Sequence, residues 1–90
     1  MAIAAYFHPE TLTTQMYDEA IRRLDAAGLG QPQGRTHHAC FGEDGKLMVF
    51  EIWDSPADFA AFGAQLMPIL HEVGINPGNP SVMEIHNMIG

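Results

Sequence analysis

The stretch KLMVFEIWDSPADFAAFGAQLMPILHEV, from Lys46 to Val73, decides the fold, because it reads as a strand that leads directly into a capped helix. Apolar side chains occupy both alternating positions of residues 46–53 and only Glu51 interrupts them, which predicts a strand buried on both faces. Ser55 can cap the helix that follows, and Pro56 suits its first position because proline has no N–H to leave unbonded. The stretch therefore predicts a strand–helix unit, while it indicates little about a substrate.

Two helices are predicted from apolar residues that recur at intervals of three and four. The second helix follows Ser55, ends near Gly74, and carries a stripe of Phe59, Phe62, Leu66, Leu70 and Val73. The first helix begins after Thr13, and its stripe consists of Tyr17, Ala20, Ile21, Leu24 and Ala27. Both stripes are typical of core faces, and Phe62 could instead contact a flat ligand together with Trp53.

Three further apolar stretches predict strands at residues 2–8, 35–41 and 82–89. The hairpin signal Asp44-Gly45 joins the second strand to the third. The resulting order, β-α-β-β-α-β, predicts an α+β, ferredoxin-like domain spanning residues 1–90. Its antiparallel four-stranded sheet should carry both helices on one face.

Composition restricts the classes of partner and compartment. The net charge of −7 disfavours nucleic acid and anionic membranes, since both repel an acidic surface. No apolar run is long enough to span a bilayer and no signal-peptide pattern is present, so we expect a cytoplasmic protein with no membrane partner. Cys40, the lone cysteine, is interpreted as a small core residue.

The hairpin register divides the strand residues between two sheet faces. His38 and Cys40 should share a face with Val49, Glu51 and Trp53, while the opposite face holds Ala39, Phe41, Met48, Phe50 and Ile52. Because the second set is the more apolar, we expect it to lie beneath the helices. The first set, joined by Val82 and Met88, would then form an exposed apolar patch that a second copy of the chain should cover.

These features resemble the dimeric α/β-barrel superfamily, which includes the antibiotic-biosynthesis monooxygenase-like proteins. The resemblance rests on VFEIWDSPADFAAF, on the hairpin before it, on the order of elements and on the final EIHN, and it covers nearly the whole chain. It implies a homodimer whose two sheets enclose a barrel. Haem-degrading members carry an Asn on the first strand and a Trp and a His on the second helix. Here no Asn is present on that strand, Phe62 stands at the Trp position and only His71 lies near the expected His, so we predict no haem and no other cofactor.

The candidate site residues are the polar side chains expected inside this barrel, namely His38, Glu51, Glu84 and His86. They could hydrogen-bond one another as a structural network, or His38 and His86 could act as acids or bases beside a carboxylate. Two imidazoles and a carboxylate could also bind a divalent ion, but the sequence has no strong metal spacing and we predict no metal site. Trp53, Phe62, His71 and the two glutamates are the predicted substrate-binding residues.

The sequence leaves open whether the protein is an enzyme. The first hypothesis is a homodimer that binds a small organic molecule in a cavity lined by sheet residues. The alternatives are a cofactor-independent monooxygenase that positions a reactive aromatic substrate, as the resemblance implies, and a structural domain that only dimerises.

Overall fold

The computed structural model describes residues 1–90 and shows six elements. They are β1 (Ile3–Phe7), α1 (Thr14–Ala26), β2 (Arg35–Phe41), β3 (Met48–Trp53), α2 (Pro56–Val73) and β4 (Ser81–Glu84). The strands form one sheet in the order β2-β3-β1-β4, and every neighbouring pair is antiparallel. The predicted ferredoxin-like fold is therefore confirmed. Neither helix combines the length and the apolar character that crossing a bilayer requires.

The helix boundaries follow from local chemistry, as the sequence predicts. The hydroxyl oxygens of Thr13 and Ser55 accept hydrogen bonds from the backbone N–H groups of Met16 and Asp58, at 3.0 and 3.2 Å. Gly74 ends α2 in the left-handed conformation, with a φ of 86° that a residue without a Cβ adopts at little cost.

Three strands are shorter than predicted, and β1 differs from its predicted range by only one residue at each end. β4 stops at Glu84 instead of residue 89, since it pairs only with β1 and the first paired residue of β1, Ile3, lies opposite Glu84. β3 begins at Met48 instead of Lys46, because the backbone of Leu47 donates to the carbonyl of Leu12 in the loop before α1.

The register is as predicted, but the prediction of which face the helices cover is wrong. His38 lies opposite Glu51 and Cys40 opposite Val49, on the face that also carries Trp53. This face lies beneath the helices. Trp53 is fully buried and packs with Ile3, Ala5, Leu24 and Phe62 in the main core cluster, so it does not belong to an exposed patch. The indole and Phe62 together supply the large apolar area that drives this packing.

The outward face of the sheet is consequently the more apolar one. Its pairs include Tyr6 with Phe50, Ala39 with Phe50 and Phe41 with Met48. The exposed fractions are 44% for Phe41, 37% for Phe50 and 67% for Met83, which extends the same face on β4. A largely apolar exposed sheet face of this kind is uncommon on a monomer.

Candidate functional site

Glu51 is a buried carboxylate in the middle of the helix-covered face. Its Oε1 accepts a hydrogen bond from Nε1 of Trp53 at 3.0 Å, and its Oε2 lies 2.6 Å from Nδ1 of His38. The side chain of Glu51 is only 7% exposed, so these contacts replace the water that the carboxylate loses on folding. No buried side-chain nitrogen or oxygen in the chain lacks a partner.

Arg35 contacts the Glu51 carboxylate because β2 contains an irregularity. Arg35 pairs with Trp53 and His37 pairs with Ile52, so one extra residue, Thr36, stands in the strand. This bulge places Arg35 on the same face as His38, whereas regular alternation would place the two on opposite faces. Nη2 of Arg35 donates to the carbonyl of Gly30 at 3.1 Å, while Nη1 makes a long contact of 3.5 Å with Oε2 of Glu51.

Tyr17 contributes from α1 and completes the polar group. Its hydroxyl lies 2.6 Å from Nε2 of His38, and the two rings are close to parallel, with an interplanar angle of 17°. Burial, reinforced by nearby Cys40, raises the pKa of Tyr17 to about 12, so that the phenol stays protonated at neutral pH. Burial also raises the pKa of the Cys40 thiol, which favours the unreactive protonated form and agrees with the interpretation as a core residue.

A cavity of about 90 Å³ lies between the helices and the sheet beside this polar group. Its apolar wall comes from both helices, the central strands and the loop after α2, and its polar lining comes from Tyr17, Arg35, His38 and Glu51. A second cavity of about 160 Å³ shares Glu51, Phe62 and Leu66 with the first and extends beneath α2 towards Pro80. The two therefore adjoin along Glu51 and Phe62.

The structure brings some of the predicted site residues together and separates others. Glu51, His38 and Phe62 line the first cavity, and Trp53 supports Glu51 from the core. In contrast, Glu84 is exposed on the edge strand, His86 is exposed beyond its end, and His71 is exposed in the last turn of α2. The expected cluster of two histidines and two carboxylates thus reduces to one pair, His38 with Glu51. No group of three or more His, Cys, Asp or Glu side chains is arranged to hold a metal ion.

The sequence pattern alone does not assign Tyr17 or Arg35 to the site. Tyr17 lies on the apolar stripe of α1, which predicts a core residue, although a tyrosine in such a stripe requires a hydrogen-bond partner for its hydroxyl. This requirement is the signal in the sequence that points to Tyr17 as a member of the polar group. Arg35 had no comparable signal, because its orientation depends on the bulge at Thr36.

Comparison with solved structures identifies proteins of the same fold. SnoaB from Streptomyces nogalater, a cofactor-independent oxygenase, aligns with a TM-score of 0.66 and 13% identity over 98% of this chain and 94% of its own. The monooxygenase from the gene ActVA-Orf6 of Streptomyces coelicolor, in complex with nanaomycin D, gives 0.63 and 14% over 98% and 89%. Rv0793 from Mycobacterium tuberculosis gives 0.60 and 17% over 99% and 97%.

No protein-family model matches the chain, and no curated protein matches it. The structural matches confirm, at the level of the fold, the resemblance to the antibiotic-biosynthesis monooxygenase-like proteins that the sequence shows. The structural overlap establishes a shared fold, and at identities of 13%, 14% and 17% it does not carry an activity from one protein to another.

Proposed function

We propose that this protein binds a small organic molecule in the cavity beneath its helices and that His38 accepts a proton there. The observation that carries the proposal is the hydrogen-bonded pair of His38 and Glu51 on the wall of a mainly apolar cavity. A concave, mainly apolar site with a few convergent polar groups is the usual form of a small-molecule site.

The geometry of the pair suits proton transfer. An ionised Glu51 can only accept hydrogen bonds, so Nδ1 of His38 carries the proton that lies between them, and Nε2 is left as the basic nitrogen. If Nε2 then takes up a proton, the adjacent carboxylate stabilises the imidazolium. If His38 had only a structural role, its contact with Glu51 and the contact of Glu51 with Trp53 would be sufficient, and no cavity beside them would be needed.

The proposal includes a homodimer formed through the outward face of the sheet. The surface around Phe41, Phe50 and Met83 is largely apolar and includes residues of three strands, and a second copy of the same face would cover it. As in the sequence prediction, a dimer is expected because an exposed apolar sheet face needs to be covered. The face concerned is the opposite one to the face that the sequence predicted. In this arrangement the ligand site lies on the helix side of each sheet and not between the two sheets.

A second candidate function is that of a cofactor-independent monooxygenase. It is favoured by the shared fold with SnoaB and the ActVA-Orf6 protein together with the proton acceptor His38. In such a reaction the substrate carries a CH2 carbon next to its aromatic ring and is itself the reductant. His38 removes one proton from that carbon, the carbanion adds molecular oxygen, and the protonated His38 returns the proton to give a hydroperoxide. The remaining C–H bond and the O–O bond then break, which leaves a C=O group in the product and releases one water molecule.

The experiment that tests binding is an NMR screen of the ¹⁵N-labelled protein with small phenols and, as a separate sample, with nanaomycin D, the ligand in the ActVA-Orf6 structure. We expect chemical-shift changes concentrated at the cavity residues, with Ile21 and Leu66 among them. Leu66→Trp should fill the cavity and abolish the changes, whereas Ala64→Trp, on the exposed side of the same helix, should preserve them. Changes confined to other surfaces, or none with any compound, would contradict the proposal.

A further inference from the structure

We propose that Tyr17 is the group that passes a proton from a bound ligand to His38, so that Tyr17, His38 and Glu51 form one relay. This inference rests on the proposed function, since it names how the proton reaches His38. The two contacts that define the relay are both 2.6 Å long, from the Tyr17 hydroxyl to Nε2 and from Nδ1 to Oε2 of Glu51.

The directions of the hydrogen bonds follow from the acceptors. Glu51 accepts from Trp53 through one oxygen and contacts Arg35 and His38 through the other, so it is surrounded by donors and Nδ1 of His38 must donate to it. Nε2 is then an acceptor, and the Tyr17 hydroxyl donates its only proton to it. The lone pairs of the Tyr17 oxygen stay available to a hydroxyl group in the cavity that Tyr17 lines.

Tyr17 cannot serve as the base itself. The groups facing it are Glu51, Cys40 and Arg35 from the sheet and Asp18 from its own helix, and burial has the largest effect on its ionisation. Its pKa of about 12 means that it holds its proton at neutral pH and can only exchange one proton for another.

The transfer balances without any further reactant. The O–H bond of the ligand breaks as a new O–H bond forms at Tyr17, while the original Tyr17 O–H bond breaks as an N–H bond forms at Nε2 of His38. The ligand becomes an anion and His38 becomes an imidazolium next to the Glu51 carboxylate. The guanidinium of Arg35 lies in the same cavity wall and favours the negative charge that the ligand acquires.

A relay and a merely structural contact predict different behaviour of a phenol probe. The probe is 4-nitrophenol, whose anion absorbs visible light, and 4-nitroanisole is the matched compound that has no proton to give. With the native protein, the ratio of bound phenolate to bound phenol should exceed that of the free probe at the same pH by about tenfold, which corresponds to one pK unit. Tyr17→Phe should reduce this excess to the part that the charge of Arg35 sustains on its own, without changing the affinity for 4-nitroanisole.

Two variants keep the test decisive. Tyr6→Phe removes a hydroxyl from the outward face, where it contacts only Met48, and should leave the excess of phenolate unchanged. His38→Gln should reduce the excess as Tyr17→Phe does, and it provides the same readout if Tyr17→Phe does not fold. An excess as large in Tyr17→Phe and His38→Gln as in the native protein would overturn the relay and leave ligand binding intact, whereas failure of both probes to bind would overturn the proposed function itself.

Discussion

The hydroxyl of Tyr17 lies 2.6 Å from Nε2 of His38, although 21 positions of sequence separate the two residues. The contact joins the first turn of α1 to β2 on the covered face of the sheet. On its other side His38 contacts Glu51, which Trp53 also binds, so a single chain of hydrogen bonds leads from the helix to the aromatic core. The proposed proton acceptor is therefore connected to the aromatic core by direct contacts.

The ionisation of Tyr17 should make stability fall at high pH. Its pKa is raised from 10.0 to about 12 in the folded protein, so its contribution is complete below pH 10 and is lost as the pH rises through 12, because the unfolded chain ionises first. Urea denaturation at a series of pH values measures this. Tyr17→Phe should show a shallower loss of stability between pH 10 and 12 than the native protein, and parallel curves would contradict the prediction.

Glu51→Gln should destabilise the fold although it preserves size. The amide would turn an N–H group towards one of the donors on Trp53 or His38, and Arg35 would lose its buried counter-charge. We expect a loss of about 1–3 kcal/mol in the free energy of unfolding, measured by urea denaturation. Glu84→Gln is the control, and because Glu84 is exposed its change should stay within about 0.5 kcal/mol. Equal effects of the two substitutions would show that the contacts of Glu51 do not contribute.

Truncation of Phe62 should leave a cavity in the main core. Phe62 is 5% exposed, packs against Trp53 and supports the guanidinium of Arg35, which lies 5.8 Å from its ring centre. Phe62→Ala should cost about 3–5 kcal/mol of unfolding free energy in a denaturant titration. Phe59→Ala should also destabilise, but by less, since Phe59 is only partly buried at the edge of the same cluster. A loss below about 1 kcal/mol for Phe62→Ala would place its ring in the ligand site and not in the core.

The outward face should mediate dimerisation. Light scattering should give twice the single-chain mass of 9.9 kDa, since covering apolar surface contributes roughly 25 cal/mol per Å² before the costs of association. Phe50→Lys introduces a charge in the middle of this face and should yield the monomer mass. Met67→Lys alters an exposed apolar residue of α2 and should leave the dimer intact. A native protein that is monomeric at micromolar concentration would contradict the dimer.

If the protein is an enzyme, His38 and not His86 should carry the proton. With a substrate found in the binding screen, His38→Gln should reduce turnover by about 10²–10⁴, the usual contribution of general acid–base catalysis. His86→Gln should have no effect, because His86 is exposed beyond the end of β4. Oxygen consumption measures the rate, and unchanged turnover in His38→Gln would eliminate this mechanism. A collapse in thermal stability of that variant would instead indicate a structural role for the pair.

The order of the elements and the register of the central hairpin were determined by the sequence itself, since both depend on local chemistry. The caps at Thr13 and Ser55 act within one helical turn, and Asp44-Gly45 closes the hairpin that sets His38 opposite Glu51. Such signals require only neighbours along the chain, and the predicted fold was therefore correct.

Tertiary packing alone decided which face became the interior and which side chains entered the site. Both faces of β3 are apolar, so hydrophobicity along the strand does not distinguish them. The covered face is the one that holds Glu51. Its carboxylate can be buried because His38, Trp53 and Arg35 contact it in the folded chain, and these contacts do not exist before folding. Arg35 depends on the bulge in β2, and Tyr17 depends on the placement of α1 over the sheet. These contacts join residues distant in sequence, and their energies are realised only when the elements pack together.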